Sequence, residues 1–391
     1  MINLHEPNIG REEKRILSKC IDTGWISSSG KYLDKFEKNI SKFLNVKYSL
    51  GIINGTSALD IAIKIFNFGL DNEIIIPSIT FISPVNSILY NRCNPIFMDI
   101  DKNLLLDTAK VLRFLKNNTY QKTNKKNKLK FTFNKKTNKR ISALIVVHTF
   151  GNAVLLDEIY IECKKRNIII IEDAAEALGV KYKEGRFKGR YAGTIGDIGC
   201  ISFNGNKIIS TGGGGMIISN NKKLYEKSKY LINQAKDDGV LYIHNEVGYN
   251  YRMNNLSAAI GVVQLKKLNQ FLKYKKNVHN IYLKYLKNNK NFEIMTNPKN
   301  IFSNYWLNLL IIKNNKINLN RLISLFQKNN IQVRPLWYPN HLQKMMKNFE
   351  RYDLRLSNFI HKKILCLPSS SNIKISDQRK IINILNKINE P

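Results

Sequence analysis

Lys207 stands between the short apolar run Cys200-Ile-Ser-Phe203 and four consecutive glycines, Gly212 to Gly215. A lysine in that setting can act as a nucleophile, because neighbouring glycines let backbone approach a ligand with no Cβ in the way and accept positive φ. In a chain with 63 Lys and Arg residues most lysines are simply solvated, so the company Lys207 keeps decides its reading. Asp173 ends the apolar run Asn167-Ile-Ile-Ile-Ile-Glu-Asp173, 34 positions before it. Further upstream, the strand-like Tyr48 to Ile53 runs into Asn54-Gly-Thr-Ser57, after which Ala58 to Phe66 has helical character. A strand, a Gly-Thr-Ser turn and a helix aim free N–H groups and the positive end of a helix dipole at one spot, which makes an anion site. An ordinary Thr/Ser N-cap explains that segment equally well when it is taken alone.

Taken together, a lysine before glycines, a buried carboxylate and a hydroxyl-rich helix start are the groups needed to hold pyridoxal 5'-phosphate. The lysine holds the aldehyde and later moves a proton, and Asp173 keeps the pyridine nitrogen protonated so that the ring accepts electrons. Gly55, Thr56, Ser57 and Ser202 can supply N–H groups and hydroxyls to the phosphate. Phe81 follows the brief strand Glu73 to Pro77, at the strand end where ligands sit in open α/β sheets, and could stack on an aromatic cofactor.

The elements that must position these groups are legible in the pattern. Short apolar strands alternate with helices over residues 48–220, which predicts an α/β fold with a mostly parallel central sheet covered on both faces. Helices are expected at Glu12 to Cys20, Lys31 to Leu44 and Asp157 to Arg166, and strands at Pro95 to Ile100, Ile141 to Val147, Ile168 to Ile171 and Ile198 to Phe203. After about residue 245 glycines thin out. Helical segments at Leu256 to Tyr274 and Val278 to Leu286, a strand at Tyr305 to Ile312 and a helix at Leu319 to Lys328 predict a smaller C-terminal α+β domain. The division is therefore 1–245 and 246–391, with residues 1–12 free to pack against the small domain.

Composition narrows the function classes. The formal charge of +34 would ordinarily suggest a nucleic-acid partner. The excess is mostly lysine spread along the whole chain, so it reads as solvated surface that favours anionic small substrates, and no nucleic-acid partner is expected. The one dense block, residues 116–140, carries ten basic and no acidic residues and reads as a surface loop or hairpin. The five cysteines form no CxxC pair, so neither a disulfide framework nor a metal site is indicated. No signal peptide and no apolar run long enough to cross a bilayer is present, which makes a cytoplasmic protein the expectation.

The chain resembles the DegT/StrS-type nucleotide-sugar aminotransferases. The motifs are Asn54-Gly-Thr-Ser-Ala-Leu59, Pro77-Ser-Ile-Thr-Phe81, Glu172-Asp-Ala-Ala-Glu176, Ser202-Phe-Asn-Gly-Asn-Lys207, Gly212 to Gly215 and Gly248-Tyr-Asn-Tyr-Arg-Met253. The resemblance implies the fold type I, aspartate aminotransferase-like architecture and pyridoxal 5'-phosphate as cofactor. It places Lys207 on the aldehyde, Asp173 on the pyridine nitrogen, Phe81 on the ring, Glu176 near the phenolic oxygen, and Thr56, Ser57 and Ser202 on the phosphate. Asn250 would reach the phosphate from a neighbouring subunit, implying a homodimer with shared sites. Asn204 before Lys207, the four glycines, Trp25-Ile-Ser-Ser28 and Val333-Arg-Pro-Leu-Trp337 resemble the LegC-like branch. That branch moves an amino group from glutamate, which leaves as 2-oxoglutarate, to C4 of a nucleotide-linked 4-keto-6-deoxy-N-acetylglucosamine, toward legionaminic acid or bacillosamine. Amination at C3, or of another nucleotide-linked keto sugar of the perosamine type, is the alternative, because the motifs bind cofactor rather than sugar. Ser27, Ser28, Tyr251, Arg252, Arg334 and His341 are the expected diphosphate or sugar contacts.

Overall fold

The computed structural model describes residues 1–125 and 128–388. In chain order the first part comprises α1 (Arg11–Asp22), α2 (Lys31–Leu44), β1 (Tyr48–Ile52), α3 (Gly55–Lys64), β2 (Asn72–Pro77), α4 (Ser83–Tyr90), β3 (Asn94–Met98) and α5 (Thr108–Asn117). There follow β4 (Thr119–Thr123), β5 (Lys130–Asn134), β6 (Arg140–Val147), α6 (Asp157–Lys165), β7 (Ile169–Asp173), β8 (Lys181–Tyr182), β9 (Ile198–Ser202), β10 (Gly215–Ser219) and α7 (Lys222–Ile232). The remainder is β11 (Lys236–Asp238), β12 (Ile243–His244), α8 (Asn255–Leu286), β13 (Phe292–Ile294), β14 (Ile301–Phe302), β15 (Asn308–Ile312), α9 (Leu319–Lys328), β16 (Arg334–Pro335), β17 (Glu350–Tyr352), α10 (Arg355–Ile360), β18 (Ile364–Leu367) and α11 (Ile375–Lys387).

The main sheet runs β1-β10-β9-β7-β6-β2-β3-β17. From β9 to β17 every pair is parallel, while β10 and β1 close one side antiparallel. Its central strands are continuous apolar runs because helices cover both faces. Successive residues point to opposite sides. Ile75, Ile96, Leu144 and Ile170 therefore join the core under α2, α5 and α6, while Ile74, Phe97, Ile145 and Ile171 join the core under α3, α4 and α7. The basic block forms the antiparallel hairpin β4–β5 on the start of β6, and positions 126–127 of it lie outside the described residues.

A second sheet, β13-β15-β18-β16, packs with α9, α11 and the end of α8 around Tyr282, Phe292, Leu310, Phe326 and Ile381. The two helical segments expected between 256 and 286 are one helix of 32 residues, α8. No Gly or Pro separates Tyr274 from Val278, so nothing in that interval interrupts the backbone ladder. The expected strand at Tyr305 begins only at Asn308, since Tyr305 itself has φ of 55°. Ala258, Val262 and Leu268 belong to the large core, whereas Val278, Tyr282 and Leu286 belong to the small one. We propose to draw the domain boundary inside α8 rather than at residue 245. Residues 2–4 lie along the small domain, with Ile2 and Leu4 carbonyls accepting from Gln332 and Ser369 N–H at 2.8 Å. A third apolar cluster, with Ile79, Ile100 and Phe150 on one side and Trp306, Leu336 and Cys366 on the other, joins the two bodies beside the ends of the parallel strands. Among the described residues no helix is long and apolar enough to cross a membrane.

Candidate active site

Parallel register brings three strand ends to one level. Val147 lies beside Asp173 and Asp173 beside Cys200, so β6, β7 and β9 release His148, Asp173 and Ser202 at the same edge of the sheet. This carboxyl edge is where open α/β sheets place ligands. The start of α3 is pressed against it: a Cβ on Gly55 would sit 2.9 Å from Ser202 Cβ. After β9 the chain turns through Asn204 to Lys207, where the Lys207 N–H donates to the Asn204 carbonyl at 2.9 Å. Gly214, with φ of 156°, closes the turn; a Cβ there would lie 2.3 Å from Thr211 Oγ1 and 2.5 Å from Met253 Cε. The result is a cavity of about 820 Å³ bordered by Gly55, Thr56, Phe81, Asp173, Glu176, Ser202 and Lys207 from the large body and by Trp306, Arg334 and Trp337 from the small one.

The three carboxylates at the end of β7 have different environments. Glu172 is fully buried, which by itself would raise its pKa. It nevertheless lies below the ordinary value, because His148 Nε2 and the N–H groups of Gly193, Ile195 and Gly196 all donate to it. It therefore anchors the glycine-rich loop and orients His148, whose Nδ1 accepts from Val154 N–H at 3.1 Å. Burial pushes Asp173 up instead, opposed by one N–H bond from Ala175 at 3.0 Å and by the charges of Lys207 and His148. Burial also pushes Glu176 up to about 7, against the attraction of Lys207 and an N–H bond from Phe150. Lys207 Nζ lies 3.5 Å from Glu176 Oε1 and 4.4 Å from the centroid of the Trp306 ring.

These groups suit pyridoxal 5'-phosphate. The cavity offers an amine, an acid whose Oδ1 accepts a hydrogen bond from Ala175 N–H, an aromatic ring at Phe81 that is 55% exposed, and a helix N-terminus at Gly55, packed against Ser202. The capping role at α3 falls to Asn54, whose Oδ1 accepts from Ser57 N–H at 2.8 Å. Thr56 Oγ1 donates to Ser83 Oγ at 2.9 Å and borders the cavity, as does Ser202, while Ser57 is buried behind them. Pattern alone did not single out His148 and Trp306. The signal for His148 was its place one residue beyond an apolar strand; for Trp306, which comes from the other domain, there was none.

The expected substrate contacts, together with Asn250, expected at the cofactor phosphate of a neighbouring subunit, separate into three groups. Arg334 borders the cavity. Asn250, Tyr251, Arg252, Ser27 and Ser28 lie outside it: Arg252 Nε donates to the Ser28 carbonyl at 3.2 Å, Asn255 N–H donates to the Ser27 carbonyl at 2.7 Å, Tyr251 stacks on Tyr249, and Asn250 is exposed beside Asn233. His341 is the correction. It is buried away from the cavity, with Nδ1 2.5 Å from Ser78 Oγ and Nε2 2.8 Å from Asn358 Oδ1, so both nitrogens are engaged within the fold.

Comparison with known proteins agrees with this geometry. The model of the DegT/DnrJ/EryC1/StrS aminotransferase family matches residues 7–386. The chain is 33% identical to the GDP-perosamine synthase of Escherichia coli O157:H7, covering 100% of this chain and 98% of that one. It is 32% identical to the GDP-perosamine synthase of Vibrio cholerae, covering 98% of each. Among solved structures, the PLP-form of the sugar aminotransferase Spr1654 from Streptococcus pneumoniae, described as putative, superimposes with a TM-score of 0.84 at 19% identity, covering 98% of this chain and 97% of that one. The chain thus belongs to the DegT/DnrJ/EryC1/StrS aminotransferase family and is a pyridoxal 5'-phosphate-dependent transaminase of nucleotide-sugar pathways.

Proposed function

We propose that this enzyme transfers the amino group of glutamate to the keto carbon of a GDP-linked 4-keto-6-deoxyhexose, giving a perosamine-type amino sugar. The observation that carries this reading is 32% and 33% identity to two GDP-perosamine synthases over essentially the whole chain. It supports the perosamine-type alternative over the LegC-like branch that Asn204 and the four glycines suggest. Motifs that hold the cofactor do not touch the sugar, so they carry less weight here.

Bound pyridoxal 5'-phosphate supplies the electron sink that makes amino transfer possible. With the cofactor bound, Asp173 would keep the ring nitrogen protonated, Phe81 would lie against the ring, and Gly55, Thr56 and Ser202 would hold the phosphate, with Ser57 behind them at the helix start. Glu176, near 7 and 3.5 Å from Lys207 Nζ, takes a proton from that nitrogen and returns it within the working pH range. Arg334, at the border of the cavity, suits the diphosphate. Asn250, Tyr251, Arg252, Ser27 and Ser28 complete the site of a second subunit in a homodimer. Val240, Leu241, Tyr242 and Val247, each at least 70% exposed and close to Asn250 in sequence, support that arrangement.

The test is incubation with glutamate and either GDP-4-keto-6-deoxymannose or UDP-4-keto-6-deoxy-N-acetylglucosamine, with the position of the new amine read by NMR. Amination of the GDP sugar is expected. Turnover of the UDP sugar alone would return the assignment to the LegC-like reading, and amination at C3 would displace both.

A further inference from the structure

Leu4 and His5, in the extended N-terminal segment, form part of the cavity wall, yet no role in cofactor binding falls to them. The backbone of this segment is fastened to the small domain on both sides of His5. Leu4 N–H donates to Gln332 Oε1 at 3.0 Å, the Leu4 carbonyl accepts from Ser369 N–H at 2.8 Å, and Glu6 N–H donates to Ser370 Oγ at 2.8 Å. Ser369 is held in turn from α8, whose Lys275 Nζ donates to its carbonyl while Tyr282 donates to the Pro368 carbonyl at 2.9 Å. So anchored, this stretch is not a fraying end.

His5, with Leu4, borders the cavity that holds Lys207. Both of its ring nitrogens are buried and neither has a hydrogen-bond partner among the described residues. Buried polar atoms in folded proteins are overwhelmingly paired, and an unpaired one costs about 1–3 kcal/mol. Arg140 and Asn152 each leave one side-chain atom in that state, whereas His5 leaves every polar atom of its side chain. Burial, together with the nearby charges of Lys275 and Lys207, lowers its pKa well below the usual value, so the ring is neutral. A neutral imidazole carries one donor and one acceptor. A carboxylate only accepts, so it can pair with the N–H nitrogen alone. A sugar hydroxyl both donates and accepts. The torsion about Cβ–Cγ is soft, and a half-turn exchanges each ring nitrogen with a ring carbon.

We propose that His5 is a substrate-contacting residue that hydrogen-bonds a hydroxyl of the keto sugar in the cavity. This rests on the reading of the enzyme as a nucleotide-sugar transaminase. It makes the N-terminal segment a determinant of sugar selection.

The experiment uses the holoenzyme and two variants, His5→Phe, which keeps a ring without nitrogens, and His5→Gln, which keeps a donor and an acceptor. The glutamate half-reaction is followed by the cofactor's visible absorbance, the keto-sugar half-reaction by its return, and affinity for the GDP-linked amino-sugar product by calorimetry. Loss of one such hydrogen bond should lower kcat/KM for the keto sugar and weaken product binding by about tenfold in His5→Phe, with partial recovery in His5→Gln. The loss should be confined to the sugar. Unchanged sugar kinetics and product affinity, or a glutamate half-reaction slowed by the same factor, would overturn the proposal. If the parent enzyme consumes glutamate but aminates none of the keto sugars, the functional reading fails, and His5 is then judged by the calorimetric arm alone.

Discussion

In the proposed mechanism Glu176 and Lys207 set the proton chemistry at the scale of single residues. Their two environments pull in opposite directions, since burial favours a neutral acid while the adjacent amine favours a charged one. With Glu176 at about 7 in the folded chain and an ordinary 4.5 when unfolded, the folded state holds a proton that the unfolded state has lost between those two values. Folded stability from this group therefore declines as pH rises through that window. In cofactor-free protein, denaturant midpoints at pH 5 and pH 7.5 should differ less for Glu176→Gln than for the parent, and equal pH dependence would contradict the assignment. With cofactor bound, the same variant should slow both half-reactions by about a hundredfold, the lower end of what a positioned acid or base contributes. Sequence alone located Lys207, Asp173 and Glu176 through motif and strand-end position. It could not show that Glu172, the neighbour of Asp173, spends its charge on His148 and three backbone N–H groups, because those donors come from the end of β6 and from the loop of residues 193–196, each more than 20 residues away.

Two elements carry predictions of their own. The start of α3 is suited to an anion in the proposed mechanism, because Asn54 satisfies the cap and Gly55 leaves Ser202 room. Gly55→Ala would place a methyl 2.9 Å from Ser202 Cβ and should weaken cofactor affinity by about 1 to 3 kcal/mol, the usual range for overpacking. A cofactor titration checks it, and the double variant Gly55→Ala with Ser202→Gly should recover part of the loss. In α8, Lys275 is buried with its Nζ on the Ser369 carbonyl, and burial lowers its pKa to about 7. An unfolded lysine titrates at 10.5, so between 7 and 10.5 the unfolded chain binds a proton that the folded chain does not, and stability rises with pH across that window. Lys275→Met should flatten this rise, as seen by chemical denaturation at pH 7.5 and 9.5; an unaltered slope would show that the lysine is charged in place. The expected break near this residue failed for the same reason. The gap left at 275–277 between the two expected segments is absent, because tertiary contacts bury Lys275 and keep the helix whole.

At the scale of the whole molecule, the cavity lies between the two bodies, and part of the expected substrate machinery lies outside it. The homodimer proposed above predicts a sedimenting species of twice 45.2 kDa. It also predicts that Val240→Asp combined with Tyr242→Asp produces a monomer with its own fold intact and its transaminase activity lost. A monomer that retained full activity would show that Asn250 and Arg252 serve no site but their own. The α/β alternation was legible because buried parallel strands must be continuous apolar runs. The small domain was visible only as a change of texture, since its strands are short and its core is completed by half of a helix shared with the large body.

Local chemistry nominated what local residues can nominate: a lysine, an acid and a helix start suited to the cofactor, because each lies at a strand end or turn whose residue types leave few alternatives. Contacts between residues far apart in the chain had to come from the tertiary structure. They set Trp306 over Lys207, sealed His341 between Ser78 and Asn358, and brought His5 to the cavity from the first few residues of the chain. Strand propensity and motif spacing act within tens of residues, whereas the pairing of a buried nitrogen depends on whatever the fold packs against it.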